Sequence, residues 1–394
     1  MTFKATNMIQ CVLTAIALLS VSDCSLLKTP SVSLELLESG DADTLMQVRE
    51  SLADLGMVAL VSAEMSDGKN LLRDAMNCME LLDPSQSIEG VLRTTFPDDT
   101  ERVLIATEDG ESFDALPASC DTFRKHHAEY HAQIDDLVHR FIGSALNQLT
   151  AGRKFVNKQG QKFKDLSRVV EASSTKEHFS LYTNNALYKN NNTMDFHVDM
   201  GLMGVFTPVT FFDAQSAVPS TTSGFFVRGE NGETVQVDLS GNSVLITMGA
   251  VAPAMLGSPE FPVKACEHGV KFPAEMKGMS RMWGGRMILP ADDIVTSDGV
   301  TFADVLEASR RLFVHEPCNE TKTENGKTFA TCWMICQNVT ACTASEVPEC
   351  QLNGAAIDPL KQSMMAKLSC VPSSSFNISP SLAVLAFALM FFTQ

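Results

Sequence analysis

Two positions apart in the segment DFHVDMGLMGVFTP, His197 and Asp199 set an imidazole and a carboxylate on one side of an extended chain, because successive strand side chains alternate between faces. Together they make two thirds of a facial triad, the donor set that holds non-haem iron(II) and leaves positions open for small ligands. A third donor is needed. His268, in VKACEHGV, is a candidate, since a later strand of the same barrel can return beside the first. Between residues 177 and 290 the only histidines are His178, His197 and His268. Alone, a His-x-Asp pair more often marks a polar strand edge than a metal, and the bland alternative is a barrel whose polar residues make ordinary hydrogen bonds. A second polar stripe, His127, His131, Asp135 and His139, recurs at spacings of four. Its HAEYH lacks the HExxH pattern of zinc enzymes, so it reads as a solvated helix face. The acidic residues between Asp98 and Asp114 read as a solvated loop.

The elements that must position these groups fall into two regions. LMQVRESLADLG repeats apolar residues at helical spacing and stops at Gly56; MVALVSA reads as a buried strand; SDGKNLLRDAMNCMELLD reads as a second helix ending before Pro84. A polar stretch runs to about Ser119, and DTFRKHHAEYHAQIDDLVHRFIGSALNQLT then predicts one long amphipathic helix. From Glu177 to Pro290 short apolar or alternating runs (FSLYT, GVFTPVTFF, GFFVRG, TVQVDL, SVLITMG, RMILP) are separated by Gly, Asn, Ser and Pro. Regular short strands with turn signals suggest a sandwich or barrel. FADVLEASRRLF closes that region as a helix.

HVDMGLMGVFTP resembles the HTDxGxLTxL segment of the isopenicillin N synthase-like family of iron(II)/2-oxoglutarate-dependent dioxygenases. SGFFVRGENGETVQVDLSGNSVLITMGAVAPAML is similar to that family's strand, turn, strand and VxxGD run, and CEHGV to its distal His. RMWGGRMILP matches the spacing of its RxSxxxFxxP ending, with Arg281 nine residues before Pro290. The likeness runs in order from Val32 to about Pro290. It implies an α+β chain with a double-stranded β-helix (jelly-roll) core, helical N-terminal support and a Cys-rich C-terminal segment. It further implies iron(II) on His197, Asp199 and His268, with 2-oxoglutarate as cosubstrate and its distal carboxylate on Arg281. Tyr182 would hydrogen-bond the cosubstrate, with Tyr188 a competitor for that place and Arg286 one for Arg281. Dioxygen would be consumed to hydroxylate or oxidise a small-molecule or peptide substrate, with succinate as coproduct. Three positions depart from the pattern: Trp283 stands for the family Ser, where an indole would fill the pocket, Ala250 for the acid after Gly249, and Gly269 for the Arg after the distal His. A non-catalytic cell-surface binding protein that keeps the barrel is the alternative, and an iron oxidase using no 2-oxoglutarate a third reading.

The 394 residues carry 30 Lys+Arg against 47 Asp+Glu, a net charge of -17, which repels phosphate backbones and excludes nucleic-acid binding as an expected role. With 45% apolar residues the chain can build a sizeable core. Residues 1–24 read as a signal peptide; 25–176 as the helix-rich N-terminal region; 177–313 as the catalytic barrel; 314–372 as a disulfide-rich segment; and 373–394 as a glycolipid-anchor signal. Membrane association is therefore expected only through that C-terminal anchor, on a secretory-pathway or cell-surface protein. Sequons at Asn191, Asn319, Asn338 and Asn377 fit the same route. Cys318, Cys332, Cys336, Cys342, Cys350 and Cys370 sit in a stretch with few large apolar residues, where disulfides are the expected staples and sequence does not choose the pairing. Zinc at Cys332 and Cys336 is the competing reading, weakened by the lack of a CxxC pair. Cys78, Cys120 and Cys266 remain in the body, an odd number that leaves room for one buried free thiol.

Overall fold

A computed structural model describes residues 26–370 apart from 64–67, 97, 109–112, 185–192, 215, 221, 230–233, 239–242, 298, 314–319, 325–326, 336–349 and 353–364. Side chains are described from Thr29 to Glu307, Asp195 and Asp238 excepted. The leader, the anchor-like tail, the four sequons and Tyr188 lie outside the described residues. So do Cys318, Cys336 and Cys342, while Cys332, Cys350 and Cys370 fall within strands described as backbone only. Among the described residues no helix is long and apolar enough to cross a membrane.

In chain order the N-terminal strands are β1 (Leu26–Lys28), β2 (Ser31–Ser33), β3 (Met57–Val61), β4 (Val91–Thr95), β5 (Glu101–Glu108), β6 (Phe155–Asn157) and β7 (Lys162–Phe163). The barrel strands are β8 (Ser174–Thr183), β9 (Met194–His197), β10 (Met203–Phe206), β11 (Thr210–Asp213), β12 (Ser216–Val218), β13 (Phe225–Arg228), β14 (Thr234–Asp238), β15 (Ser243–Met248), β16 (His268–Val270) and β17 (Ser280–Leu289). The larger sheet runs β2-β3-β15-β10-β17-β8-β5-β4, with β11 and β12 branching from β17, and the smaller runs β1-β14-β13-β16-β9. Pairing within both is antiparallel except β1 with β14 and β2 with β3. One apolar core joins the two sheets, built from alternate residues such as Val205, Phe211, Val227 and Ile246. This is the expected α+β jelly-roll, with most of the helical residues before β8 and a closing helix, Phe302–Phe313, after β17.

Two sequence expectations are corrected. The polar stretch after Pro84 contains strands β4 and β5, which extend the large sheet beyond β8. Their apolar residues, Val91-Leu92 and the run from Val103 to Ala106, do not alternate and are flanked by Arg, Thr and Glu, so the strand signal is weak. Asp98 in that turn is not solvated: it is 3% exposed, and its carboxylate accepts from Thr100 N, Thr100 Oγ1 and Thr193 Oγ1. Nor is the histidine stripe a solvated face. The long helix Asp121–Phe141 lies on the outer face of β8 and β17, where Phe123 meets Phe179 at 5.1 Å. Beside that contact His127 is buried against Glu177, and His131 Nδ1 lies 2.7 Å from Glu177 Oε1. Arg286 completes the network, donating from Nε to Glu177 Oε1 at 2.6 Å and from Nη1 to Asp135. Burial alone would push the Glu177 carboxyl up, but the bonds from His127, His131 and Arg286 outweigh it and hold the group well below the ordinary carboxylate range. His127, His131 and Glu177 lie close enough to share a cation. Arg286 already takes that role, with Nη2 2.8 Å from His131 Nδ1, and a guanidinium cannot be displaced without stranding a buried carboxylate.

Cys78, on the helix Lys69–Glu80, is joined to Cys120, at the start of the long helix, and Cys266 is the buried free thiol among the described residues. The bridge closes a loop with a sequence separation of 42. Chain-entropy arguments give such a loop about 4 kcal/mol of stabilisation. Replacing both cysteines by Ser is expected to lower the unfolding free energy in urea by about 2–4 kcal/mol; an unchanged midpoint would contradict the bridge.

Candidate active site

The antiparallel pairing of β9 with β16 sets His197 directly opposite His268, with ring centroids 4.4 Å apart. Asp199, two residues past His197, turns back toward both: its Oδ1 is 3.7 Å from His197 Nε2 and its Oδ2 3.7 Å from His268 Nε2. One ligand atom from each of the three lies within 4.8 Å of the others. His268 is 3% exposed, and its Nδ1 is 3.0 Å from the Cys266 carbonyl. That acceptor calls for a proton on Nδ1 and leaves the Nε2 lone pair facing the triad centre. Phe225 stacks on the His268 ring at 5.1 Å and 26°.

Asp199 is held by backbone. Ala250 N donates to Asp199 O at 2.9 Å, Val251 N to Gly201 O at 3.2 Å, and Gly249 N to Leu202 O at 2.9 Å. The loss of an acid at position 250 therefore leaves this anchor intact, because it uses the main chain. Gly249 is required by closeness: a Cβ there would stand 2.3 Å from Gly201 O and 3.1 Å from Asp199 O.

The register of β17 on β8 runs unbroken from Ser280 to Leu289 and places Arg281 opposite Tyr182. Arg286, five residues further, must face the other side, and it is committed to Glu177 and Asp135. It is no substitute for Arg281. Arg281 is 1% exposed; its Nε donates to Ser223 O at 3.0 Å, its guanidinium carbon lies 5.3 Å from the centre of the Tyr182 ring, and its Nη1 has no partner. The fully buried Tyr182 hydroxyl also lacks one. Burial pulls Arg281 down to about 10, still a cation at neutral pH. The segment it grips leads two residues on to Phe225, so the arginine and the His268 ring are braced by one stretch of chain.

Trp283, on the Arg281 face of β17, is half-buried, and its ring packs on His178 at 5.3 Å and Phe206 at 4.9 Å. His178 and Arg102 are the residues that sequence reasoning missed. Arg102 sits on β5 directly opposite Tyr182; the short apolar run VLIA beside it is the signal that could have found the strand. His178 as a residue is half-buried, and its imidazole lies deep among protein atoms. That desolvation pushes it down to about 4, against a smaller opposing pull from Asp199. His178 is thus neutral in the fold at pH 5, whereas the unfolded chain takes up a proton at about 6.5. Stability is expected to fall as pH drops from about 6.5 to 4 and to level off below. Denaturation curves of His178→Gln should lose that slope; an unchanged slope would assign it to another group.

No sequence-family model matches the chain, and no curated protein matches it in sequence. Solved structures do match. The dioxygenase for auxin oxidation of rice superposes with a TM-score of 0.52 at 18% identity, over 73% of this chain and 96% of that one. JOX2, solved with 2OG, Fe and JA, gives 0.50 at 14% identity over 76% and 92%. A Neurospora crassa protein solved in complex with alpha-KG and 5-formyluracil gives 0.50 at 14% identity over 69% and 87%. The likeness is one of architecture across most of each partner, and it agrees with the sheet order and strand register described above: this chain has the double-stranded β-helix fold of the iron(II)/2-oxoglutarate-dependent oxygenases.

Proposed function

We propose that the chain is an iron(II)/2-oxoglutarate-dependent dioxygenase in which His197, Asp199 and His268 hold the metal, and Arg281 and Tyr182 receive the distal carboxylate of the cosubstrate. The observation that carries this reading is the convergence of two imidazoles and one carboxylate within 4.8 Å, in the same barrel as a buried guanidinium with an unpartnered Nη1. The donor set suits iron(II): two nitrogens and one carboxylate oxygen on a single side. Arg281 Nη1 and the Tyr182 hydroxyl suit an anion, since both can donate and neither has an acceptor. JOX2 was solved with 2OG and Fe, which supports the same assignment. When bound, metal and cosubstrate supply the oxidising power drawn from dioxygen.

The chain's own residues set the geometry. The Cys266 carbonyl fixes the His268 ring, the Ala250 amide fixes the Asp199 loop, and Ser223 fixes Arg281 so that one edge of its guanidinium stays available. Phe206, Phe225 and Trp283 supply apolar surface that keeps water from the reacting centre. Trp283 also favours the second reading, a surface binding protein without turnover, because an indole on the Arg281 face leaves less room for ligands than a Ser would. A secretory or cell-surface setting with a C-terminal lipid anchor belongs to this proposal too. It is supported by the Cys78–Cys120 bridge, which suits an oxidising compartment.

Anaerobic addition of iron(II) and 2-oxoglutarate should produce a metal-to-ligand absorption band, and admitting oxygen should release succinate. His197→Ala and His268→Ala should show no band, and Arg281→Met should weaken 2-oxoglutarate by about 30-fold or more, the loss expected for one partner of a buried charged contact. No band with the unaltered protein would leave the binding-protein reading. The backbone anchor has its own check: Gly249→Ala is expected to lower metal affinity by about 10–100-fold, as for other changes in the groups behind a metal ligand, and equal affinity by calorimetry would refute the role given to that turn.

A further inference from the structure

Among the described residues eight buried side-chain polar atoms lack a hydrogen-bond partner, and six of them share one face of the large sheet. Thr94, Arg102, Tyr182 and Arg281 stand directly opposite one another on β4, β5, β8 and β17, and Ser180 opposite Trp283 forms the next row. Directly opposed residues project to the same side. Their unpartnered atoms are Thr94 Oγ1, Arg102 Nε, the Tyr182 hydroxyl, Arg281 Nη1, Ser180 Oγ and Trp283 Nε1. Every one can donate and none is an obligate acceptor. A wall of unused donors is complementary to an electron-rich ligand, and native interiors rarely leave such groups unmatched without a purpose.

Two of the six carry full charge. Arg102 is 5% exposed and, like Arg281, has no carboxylate of the described residues within ion-pair distance. The chain does not lack carboxylates, at a net charge of -17. The third buried arginine, Arg286, is matched by Glu177 and Asp135, and the arginines without a carboxylate elsewhere, such as Arg49, Arg93 and Arg153, are more exposed and donate to backbone carbonyls. Asp98, the buried acid in the turn before Arg102, is occupied by Thr100 and Thr193. The contacts run Arg102 over Phe96 at 5.3 Å, Phe96 stacked on Tyr182 at 6.0 Å, and Tyr182 against Arg281 at 5.3 Å. Each cation therefore has its own ring, and the two are two strand spacings apart at the backbone, roughly 10 Å. Two cations without counter-ions call for more negative charge than one carboxylate brings.

We infer that the barrel receives two anions: Arg281 takes the cosubstrate, and Arg102, with Thr94 beside it, takes a carboxylate carried by the substrate, which is a small organic acid. This rests on the dioxygenase reading above for the role of Arg281. The planar fork of Arg102 suits a two-oxygen planar group, and the apolar rings around it suit an organic body attached to that group.

The test uses the full chain loaded with Mn(II) under nitrogen, with and without saturating 2-oxoglutarate, and compares phenylacetate with its neutral counterpart phenylacetamide by ligand-observed NMR. Phenylacetate is expected to bind about tenfold tighter than the amide or better, the discrimination of one charge-assisted hydrogen bond, and to bind together with 2-oxoglutarate. Arg102→Met should abolish that preference while leaving 2-oxoglutarate affinity within about threefold; Arg281→Met should do the reverse. Without ligands, Arg102→Met should unfold at the same temperature as the parent or higher, because a buried charge lacking a counter-ion is removed. A lowered unfolding temperature would make Arg102 structural and overturn the inference. So would equal binding of acid and amide, or a loss of 2-oxoglutarate binding in Arg102→Met as large as in Arg281→Met. Should 2-oxoglutarate fail to bind the parent while the acid preference persists, the cosubstrate assignment falls and the Arg102 site stands.

Discussion

The pairing of β9 with β16 is the constraint on which the site depends. It brings two histidines 71 residues apart in sequence into direct opposition, and no local motif could do so. Only then does the turn after β9 matter, because Asp199 needs two imidazoles to point at. That turn is clamped by main-chain bonds from residues 249–251, close enough that position 249 admits only glycine without displacement. The carboxylate proposed to bind metal is thus given the rigidity of a strand residue although it lies on a loop.

The two arginines of β17 show how one strand serves stability and chemistry at once. Arg286 faces the helices and is surrounded by carboxylates and histidines; it holds the long helix on the sheet. Arg281 faces the barrel interior, donates one hydrogen bond to a carbonyl, and keeps part of its donor edge unmatched. An odd separation of five residues is all that divides these roles. The same contrast, between neutralised and unneutralised guanidinium groups, singles out Arg102 on β5.

Much of the site was legible in the sequence because it rests on short-range spacing. His197 and Asp199 are two apart, whereas Arg281 came only from the likeness of RMWGGRMILP to the family's ending. A sandwich or barrel was legible in the regular succession of apolar runs and turn residues after Glu177, and the family resemblance narrowed it to a jelly-roll. What escaped depends on which surfaces meet. Helical periodicity gave the His127, His131 and Asp135 stripe but could not say that a sheet bearing Glu177 and Arg286 would cover it. β4 and β5 escaped because their apolar residues are diluted by Arg, Thr and Glu that face the barrel interior or a neighbouring chain segment, so the very residues that make Arg102 interesting weaken the strand signal. The indole of Trp283, which the family pattern would set in the cosubstrate pocket, packs on His178 and Phe206, neither of which the sequence placed beside it.

The central claim is that one particular trio of side chains holds iron. Crystals grown anaerobically with iron(II), measured on both sides of the iron absorption edge, test it directly. The expected result is a single anomalous peak between the Nε2 atoms of His197 and His268 and the carboxylate of Asp199. A peak among His127, His131 and Glu177 with Arg286 displaced, or no peak in the barrel at full loading, would contradict it.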